Sequence, residues 1–396
     1  MIVELQNVIQ PYAWGSKLAL AELRGDTSPS PAPEAELWMG AHPLAPSRLA
    51  GSGQSLLEAI TAQPQAYLGD AVSQQYAGKL PFLLKVLAAA TPLSLQAHPS
   101  LAQAAQGFDA DEAAGIPLDA PHRNYKDRNH KPELLCALGE FWALCGFRKV
   151  ADTLALFEEL AVPALTPHLT ALEGAPHAAG LKRLFSSLMQ ACVAEREALA
   201  QVTAEACRAR TGQASRFSQE YRWAVRLAEL YPGDVGLVSA LLLNLLRLEP
   251  GQAIYLPAGN LHAYLGGTGV EIMASSDNVL RGGLTPKHVN LPELLRVLDF
   301  EPRSVAALEP TLQGLEHVYE TPAREFRLSY FDLDTGAIEV DVSGPEIWLV
   351  TSGSASLASA SSALDLGRSR SAFVSPGSAL RVSGSGRIFR AKVSMS

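Results

Sequence analysis

Residues 251–267 read GQAIYLPAGNLHAYLGG, and their spacing organises the rest of the chain. Gly251, Pro257, Gly259 and His262 follow the order G-x5-P-x-G-x2-H. This predicts a strand, a tight Pro/Gly turn, and a return strand whose first inward residue is His262. A second stretch, LSLQAHPS at 93–100, reads as another strand. Successive strand side chains alternate faces, so Ser94, Gln96 and His98 share one side while Leu95 and Ala97 share the other. A polar row of amide and imidazole beside apolar neighbours is either a wet outer face or the lining of a site.

Composition narrows the choice. The chain has 396 residues, 47% hydrophobic and 18% charged, with a formal net charge of −8. That suits a globular protein of two or three domains. The acidic balance argues against nucleic acid or an anionic membrane as the main partner. Cys136, Cys145, Cys192 and Cys207 form no C-x-x-C pair, as expected in a reducing compartment. The opening MIVELQNVIQPYAWGS shows no secretory pattern, and the longest greasy run, LVSALLLNLLRL, is shorter than the ~20 residues a bilayer helix needs. The expectation is a cytoplasmic protein.

The periodicity changes twice along the chain. Up to about residue 145, short strand-like runs alternate with Pro/Gly/Ser punctuation. From 150 to 235 the apolar period becomes helical: Leu181, Leu184, Phe185, Leu188, Cys192, Leu199 and Val202 mark one amphipathic helix. Strands resume through QAIYLPAG and GVEIMASS. From 316 onward the pattern is strands with Gly/Ser turns, and no His or Cys follows His317, so this part is a poor candidate for a metal site. The fold class read from this is mainly β with a helical insert: 1–149 and 236–315 as one discontinuous domain, 150–235 as the insert, 316–396 as a second β domain.

Two imidazoles, one carboxylate and one amide oxygen then converge from three segments. Gln96 and His98 come from the first strand, Glu133 from NYKDRNHKPELLCAL, and His262 from the return strand. They form a plausible shell for zinc or another first-row divalent ion, with room for a water or substrate oxygen. Lys85 is a lone ammonium in LPFLLKVLAA, expensive to bury unless it lines a cavity or has an anionic partner. Lys131 lies near Glu133, and Arg281 and Lys287 fall in GVEIMASSDNVLRGGLTPKHVN with Glu271 and Asp277. Cations gathered around a metal in an acidic chain suggest an anionic small substrate, most simply a phosphate ester.

The Gly251–His262 spacing is similar to the second motif of cupin β-barrels, with Gly266 where an Asn is usual. Together, QPYAWGS, ELWMGAHPLAPS, LPFLLKVLAAATPLSLQAHPS, NYKDRNHKPEL and YLPAGNLHAYLGGTGVEIMASSDNVLRGGLTPKH resemble the type I mannose-6-phosphate isomerase (phosphomannose isomerase) family. The resemblance spans nearly the whole chain and is weakest in the helical insert and the last 80 or so residues. It implies two cupin/jelly-roll β-barrel domains plus an α-helical domain, one zinc ion per chain, and interconversion of mannose 6-phosphate and fructose 6-phosphate. The family's zinc ligands fall on Gln96, His98, Glu133 and His262. Its other active-site residues fall on Trp14, Glu36, Lys85, Ser94, His130, Lys131, Glu271, Asp277, Arg281 and Lys287. Leu44 and Leu101 replace polar residues found in relatives, at rim positions only.

Such an isomerisation moves a proton between C1 and C2 through a cis-enediol, with acid/base groups and cations to stabilise the oxygens. The expected proton-transfer pair is Asp277 with Lys131, and which of them is the base stays open. Arg281, His130 and Glu271 complete the catalytic set, with Lys85, Ser94, Lys287, Trp14 and Glu36 binding substrate. The expected partners are sugar phosphates only, without nucleic acid or membrane, and the chain is expected to act as a monomer. Two other readings are a metal-dependent oxygenase of the same barrel type and a sugar-phosphate sensor without turnover.

Overall fold

The computed structural model describes residues 1–394. Strand accounts for 31% of the chain and helix for 30%. Among the described residues every strand pairing is antiparallel, and the strands fall into two large sheets. The first sheet runs, in spatial order, Val8–Gln10, Glu36–Met39, Phe82–Ala89, His262–Ala274, Glu133–Ala137 and Ala253–Leu256. Its long strand His262–Ala274 also serves a second layer. The first half pairs with Leu95–Ala97 and Phe141–Phe147, the second half with Phe82–Ala89 and Glu133–Ala137.

The bend that permits this lies at Gly266–Gly267. The register slips between Tyr264 and Gly266. Gly267 has φ +123°, and a Cβ there would sit 2.6 Å from the Glu140 carbonyl oxygen. Only glycine accepts that backbone and that approach. The Gly in place of the usual Asn at 266 thus adjoins the point where one strand turns from one layer into the next.

Alternation assigns the faces. In Phe82–Ala89 the side chains of Phe82, Leu84, Val86 and Ala88 join a core with Leu134, Cys136, Val270 and Ile272. That same core includes Ile347, Leu349, Phe373, Phe389 and Ala391 of the second large sheet, so the two sheets pack back to back. Leu83, Lys85 and Leu87 face the other way. Likewise Leu95, Ala97, Leu261, Ala263 and Leu265 pack under the helices, which leaves Gln96, His262 and Tyr264 on the opposite side. The polar row of 93–100 is therefore a lining, with apolar neighbours turned into the helical domain.

The C-terminal sheet orders Thr311–Gln313, Glu316–Tyr319, Arg327–Asp332, Ser378–Lys392, Glu346–Ala358 and Ser371–Val374. It then takes in the first strand of the chain, Ile2–Gln6, paired with Ser371–Val374.

Two details differ from the sequence reading. The helix expected across 181–210 is two helices, Ala178–Gln190 and Val193–Arg210, broken where Ala191 adopts an extended ψ of 150°. Their buried stripes, Leu181 to Met189 and Leu199 to Cys207, face one core from different directions, which one straight helix could not arrange. The strand-rich first part also contains helices Leu56–Ala62 and Leu101–Ala113. Both start in capping boxes, Ser55 with Glu58 and Ser100 with Gln103, a signal present in SLLE and SLAQ. Among the described residues, no helix is long and apolar enough to cross a membrane.

Candidate active site

The metal-ligating candidates converge. His262 lies directly opposite Gln96, and Gln96 directly opposite Arg281, so the three share one face across adjacent strands. His98 follows two residues after Gln96. Glu133 opens its strand opposite Met273 and Leu256. Ligand atoms of His98, Glu133 and His262 all lie within 4.8 Å of one another, and all three residues are buried.

The protonation pattern in this cluster calls for a cation. His98 Nδ1 is 2.7 Å from the Asn278 carbonyl oxygen, and His262 Nδ1 is 3.0 Å from the Asn260 carbonyl oxygen. Each ring therefore donates Nδ1–H to a backbone carbonyl and presents a bare Nε2 lone pair. Both Nε2 atoms are buried without a hydrogen-bond partner. They lie 3.4 and 3.5 Å from the two Glu133 oxygens, which are also acceptors. Burial pushes the His98 imidazole down to about 4, so it is neutral at pH 7. Burial acts to raise Glu133, but the Lys131 ammonium at 3.0 Å outweighs it and holds the carboxylate well below the usual range. Acceptors clustered in a dry site are stable only around a positive ion, and zinc fits this N,N,O set with the Gln96 amide opposite His262.

Beside this cluster lies a second one. Trp38, Lys85 and Glu271 sit in a row across three adjacent strands. The Lys85 ammonium is 3.4 Å from Glu36 and 3.3 Å from Glu271. Burial would lower Lys85, but Glu36, Glu271 and Glu133 outweigh it, and the ammonium stays charged. Glu271 is raised above the ordinary carboxylate range, by burial first and by its acidic neighbours, despite Lys85. Tyr264, two residues after His262, donates its hydroxyl to Glu271 at 2.9 Å and so ties the two clusters together.

Asp277 is the most exposed of the acids and accepts a hydrogen bond from His42 Nε2 at 3.3 Å. His42 Nδ1 accepts from the Leu44 amide, which leaves Nε2 as the donor. Burial raises the Asp277 carboxyl, but His42, Lys131 and Lys85 more than compensate and lower it. His42 was not among the residues singled out in the sequence. Its clue was position: it follows the strand Glu36–Met39 by three residues in ELWMGAH.

Asp127 and Asn278 tie the loops together. Asp127 accepts from the Asp277 and Asn129 amides and the Ser276 hydroxyl. Asn278, fully buried, bonds the Lys126 amide and the Asn129 carbonyl.

The remaining candidates sit further out. His130 Nε2 is 2.7 Å from Glu325 of the C-terminal part. Trp14 stacks on Tyr12 with ring centroids 5.8 Å apart. Ser94 is half-buried at the mouth of its strand, and Lys287 is exposed in the loop after Leu280–Gly283. Leu44 and Leu101, the two rim departures, are both exposed.

Comparison with known proteins identifies the family. Residues 2–150 match the family model for the phosphomannose isomerase type I catalytic domain, and 164–243 the one for its helical insertion domain. The mannose-6-phosphate isomerases of Shigella flexneri and Escherichia coli K12 are each 41% identical, over 98% of both chains. A crystal structure of mannose 6-phosphate isomerase bound with zinc and yttrium superposes with TM-score 0.92 at 40% identity, covering all of both chains. A zinc-bound holo form gives TM-score 0.91 at 39%, again over both whole chains. A buried three-ligand cluster with bare imidazole nitrogens, held in the same overall fold, leaves one assignment: the chain belongs to the type I phosphomannose isomerase family.

Proposed function

We propose that this chain is a zinc-dependent isomerase that interconverts mannose 6-phosphate and fructose 6-phosphate through a cis-enediol. The carrying observation is the pair of unpartnered imidazole nitrogens beside Glu133 and Lys131 in a family of that activity. His98, Glu133, His262 and Gln96 hold the ion, which supplies Lewis acidity toward a sugar oxygen when bound.

The chain's own groups do the rest. Asp277, ionised and at the open side of the site, moves the proton between C1 and C2 together with Lys131. Glu36, Glu133, Glu271 and Asp277 face Lys85, Lys131 and Arg281, so a divalent ion turns the site net positive, as an enediolate and a phosphate dianion require. Arg281, beside Gln96 in the sheet, and Lys85 hold substrate oxygens. Ser94, Lys287 and Trp14, at the periphery, take the phosphate and the sugar face. His130 is held by Glu325 through Nε2, so a part in ring opening falls to its Nδ1. Glu271 keeps Lys85 in place and charged.

We further propose that the chain is a cytoplasmic monomer. Size-exclusion chromatography with light scattering tests the oligomeric state directly.

A coupled assay on zinc-loaded protein tests the function. Fructose 6-phosphate formed from mannose 6-phosphate is the expected outcome. Oxygen consumption with substrate and no isomerisation would instead indicate an oxygenase, and tight binding without turnover a sensor.

A further inference from the structure

The tripeptide Glu36-Leu37-Trp38 has a counterpart 310 positions later in Glu346-Ile347-Trp348. The likeness extends to the packing. Trp38 stands directly opposite Lys85, its Nε1–H donates to Glu36 at 2.7 Å, and the ammonium lies 5.2 Å from the ring centroid. Trp348 stands directly opposite Arg390, its Nε1–H donates to Glu346 at 2.9 Å, and the guanidinium lies 5.3 Å from the ring centroid. A third strand flanks each cation on its other side. It places Glu271 opposite Lys85, and Ser329 opposite Arg390, with the Ser329 hydroxyl donating to Glu316 beside the guanidinium. Both units lie on sheet faces turned away from the shared apolar seam, where Leu37, Val86, Ile347 and Ala391 sit.

The two copies differ in what is left over. Arg390 uses all five of its donors: Nε and one Nη2 hydrogen on Glu346, the two Nη1 hydrogens on Glu316, the other Nη2 hydrogen on the Asp341 carbonyl. That unit is closed. Lys85 has three donors, and among the described residues only Glu36 and Glu271 take them. One N–H remains. The only group of potential metal ligands among the described residues is the one around His98, and the C-terminal unit is not part of it.

A unit that recurs away from that cluster, with every donor of its cation taken, has the job of holding a cation. We propose that Glu36 and Trp38 are positioning residues that aim the spare N–H of Lys85, and that neither touches the sugar phosphate. The proposal rests on Lys85 belonging to the active site. The ring clamps Glu36 Oε2, so that Oε1 faces the ammonium, and the ring face closes a third side. Glu36 and Trp38 are buried, and their polar atoms are already engaged: the indole N–H on Glu36 Oε2, and Glu36 Oε1 on Lys85.

The test compares both copies in the full, zinc-loaded chain: Trp38→Phe, Glu36→Gln and Lys85→Ala against Trp348→Phe and Glu346→Gln. Each variant is measured for kcat, KM, zinc content and thermal midpoint. Trp38→Phe and Glu36→Gln should lower kcat about tenfold or more, with KM within about threefold and zinc unchanged. Trp348→Phe and Glu346→Gln should lower the midpoint and leave both kinetic constants alone. Glu36→Gln is nearly isosteric, so it carries the test if Trp38→Phe fails to fold. A raised KM at unchanged kcat would make these residues substrate contacts, and a change in midpoint alone would make them scaffold; either overturns the proposal. Full activity in Lys85→Ala would remove its premise, which an inactive Lys85→Ala with normal Trp38→Phe and Glu36→Gln would leave standing.

Discussion

Replacing Lys85 by Met should produce a stability defect that grows with pH. The ammonium side chain is 7% exposed, and its carboxylate partners Glu36 and Glu271 are 8% and 3% exposed. Methionine keeps the length and the apolar stem but leaves two buried acids facing each other without a cation. Breaking a buried pair in this way costs roughly 3–5 kcal/mol while the leftover charge persists. The protein can escape part of that cost by protonating one carboxyl. Glu271 is the group to do so, because burial and its acidic neighbours already raise it. An acid whose folded pKa lies above its unfolded value binds more protons in the native state. Its stabilising contribution is therefore complete below the unfolded pKa, near 4.3, and is lost as pH rises through the folded pKa. Each pH unit within that window is worth at most about 1.36 kcal/mol for one proton. Between pH 5.5 and 8 the variant-minus-wild-type difference should thus widen as pH rises. Urea unfolding of both proteins with zinc saturating, at the two pH values, measures it. A difference that is equal at both, or smaller at pH 8, would refute the reasoning.

Other expectations follow from the same geometry. His262→Ala should lose bound zinc and turnover together, and chelation should abolish activity until zinc is restored; full activity in verified metal-free protein would contradict this. Turnover in D₂O followed by NMR should place at least some solvent deuterium at C1 or C2, with Lys131→Ala and Asp277→Ala lowering kcat by roughly 10²–10⁴. No deuterium over many turnovers with near-normal kcat in both variants would point to a hydride shift instead. Glu325→Gln should weaken the contact to His130 by about 1 kcal/mol at pH 7. Burial raises that carboxyl, but His130 outweighs it and the carboxyl lies below its ordinary range, so the deficit should fade as pH drops below about 4; a deficit that persists at pH 3 would mean that lost packing, not charge, is responsible.

The legible parts of this chain were the ones written in short range. The turn at Pro257 and Gly259, the alternation around Gln96 and the lone lysine in an apolar strand each need only a few neighbouring residues to be read. They sufficed to bring His98, Glu133 and His262 together, because strands dictate which side chains share a face. The break at Ala191 was invisible because no Gly or Pro marks it; it arises from where the core lies relative to each helix. His42 was missed for a similar reason. Nothing local distinguishes it from a satisfied core histidine until the Asp277 turn, 235 residues away, is seen against its ring. The pairing of Ile2–Gln6 with Ser371–Val374 carries no local signature either.

That last pairing has a consequence for how the chain comes into being. The strand Ile2–Gln6 is held in a sheet whose adjoining strand, Ser371–Val374, is made far later in synthesis, with Ile2 opposite Val374. Native closure must therefore wait until residues 371–374 have been made, and the loop it closes is very long. Contacts of such sequence separation slow folding and leave the waiting strand Ile2–Gln6 open to other chains. A nascent chain stalled before residue 371 should remain protease-sensitive at its N-terminus. Supplying Ile2–Gln6 as an added strand after the C-terminus, by circular permutation, should make the same sheet a matter of near neighbours.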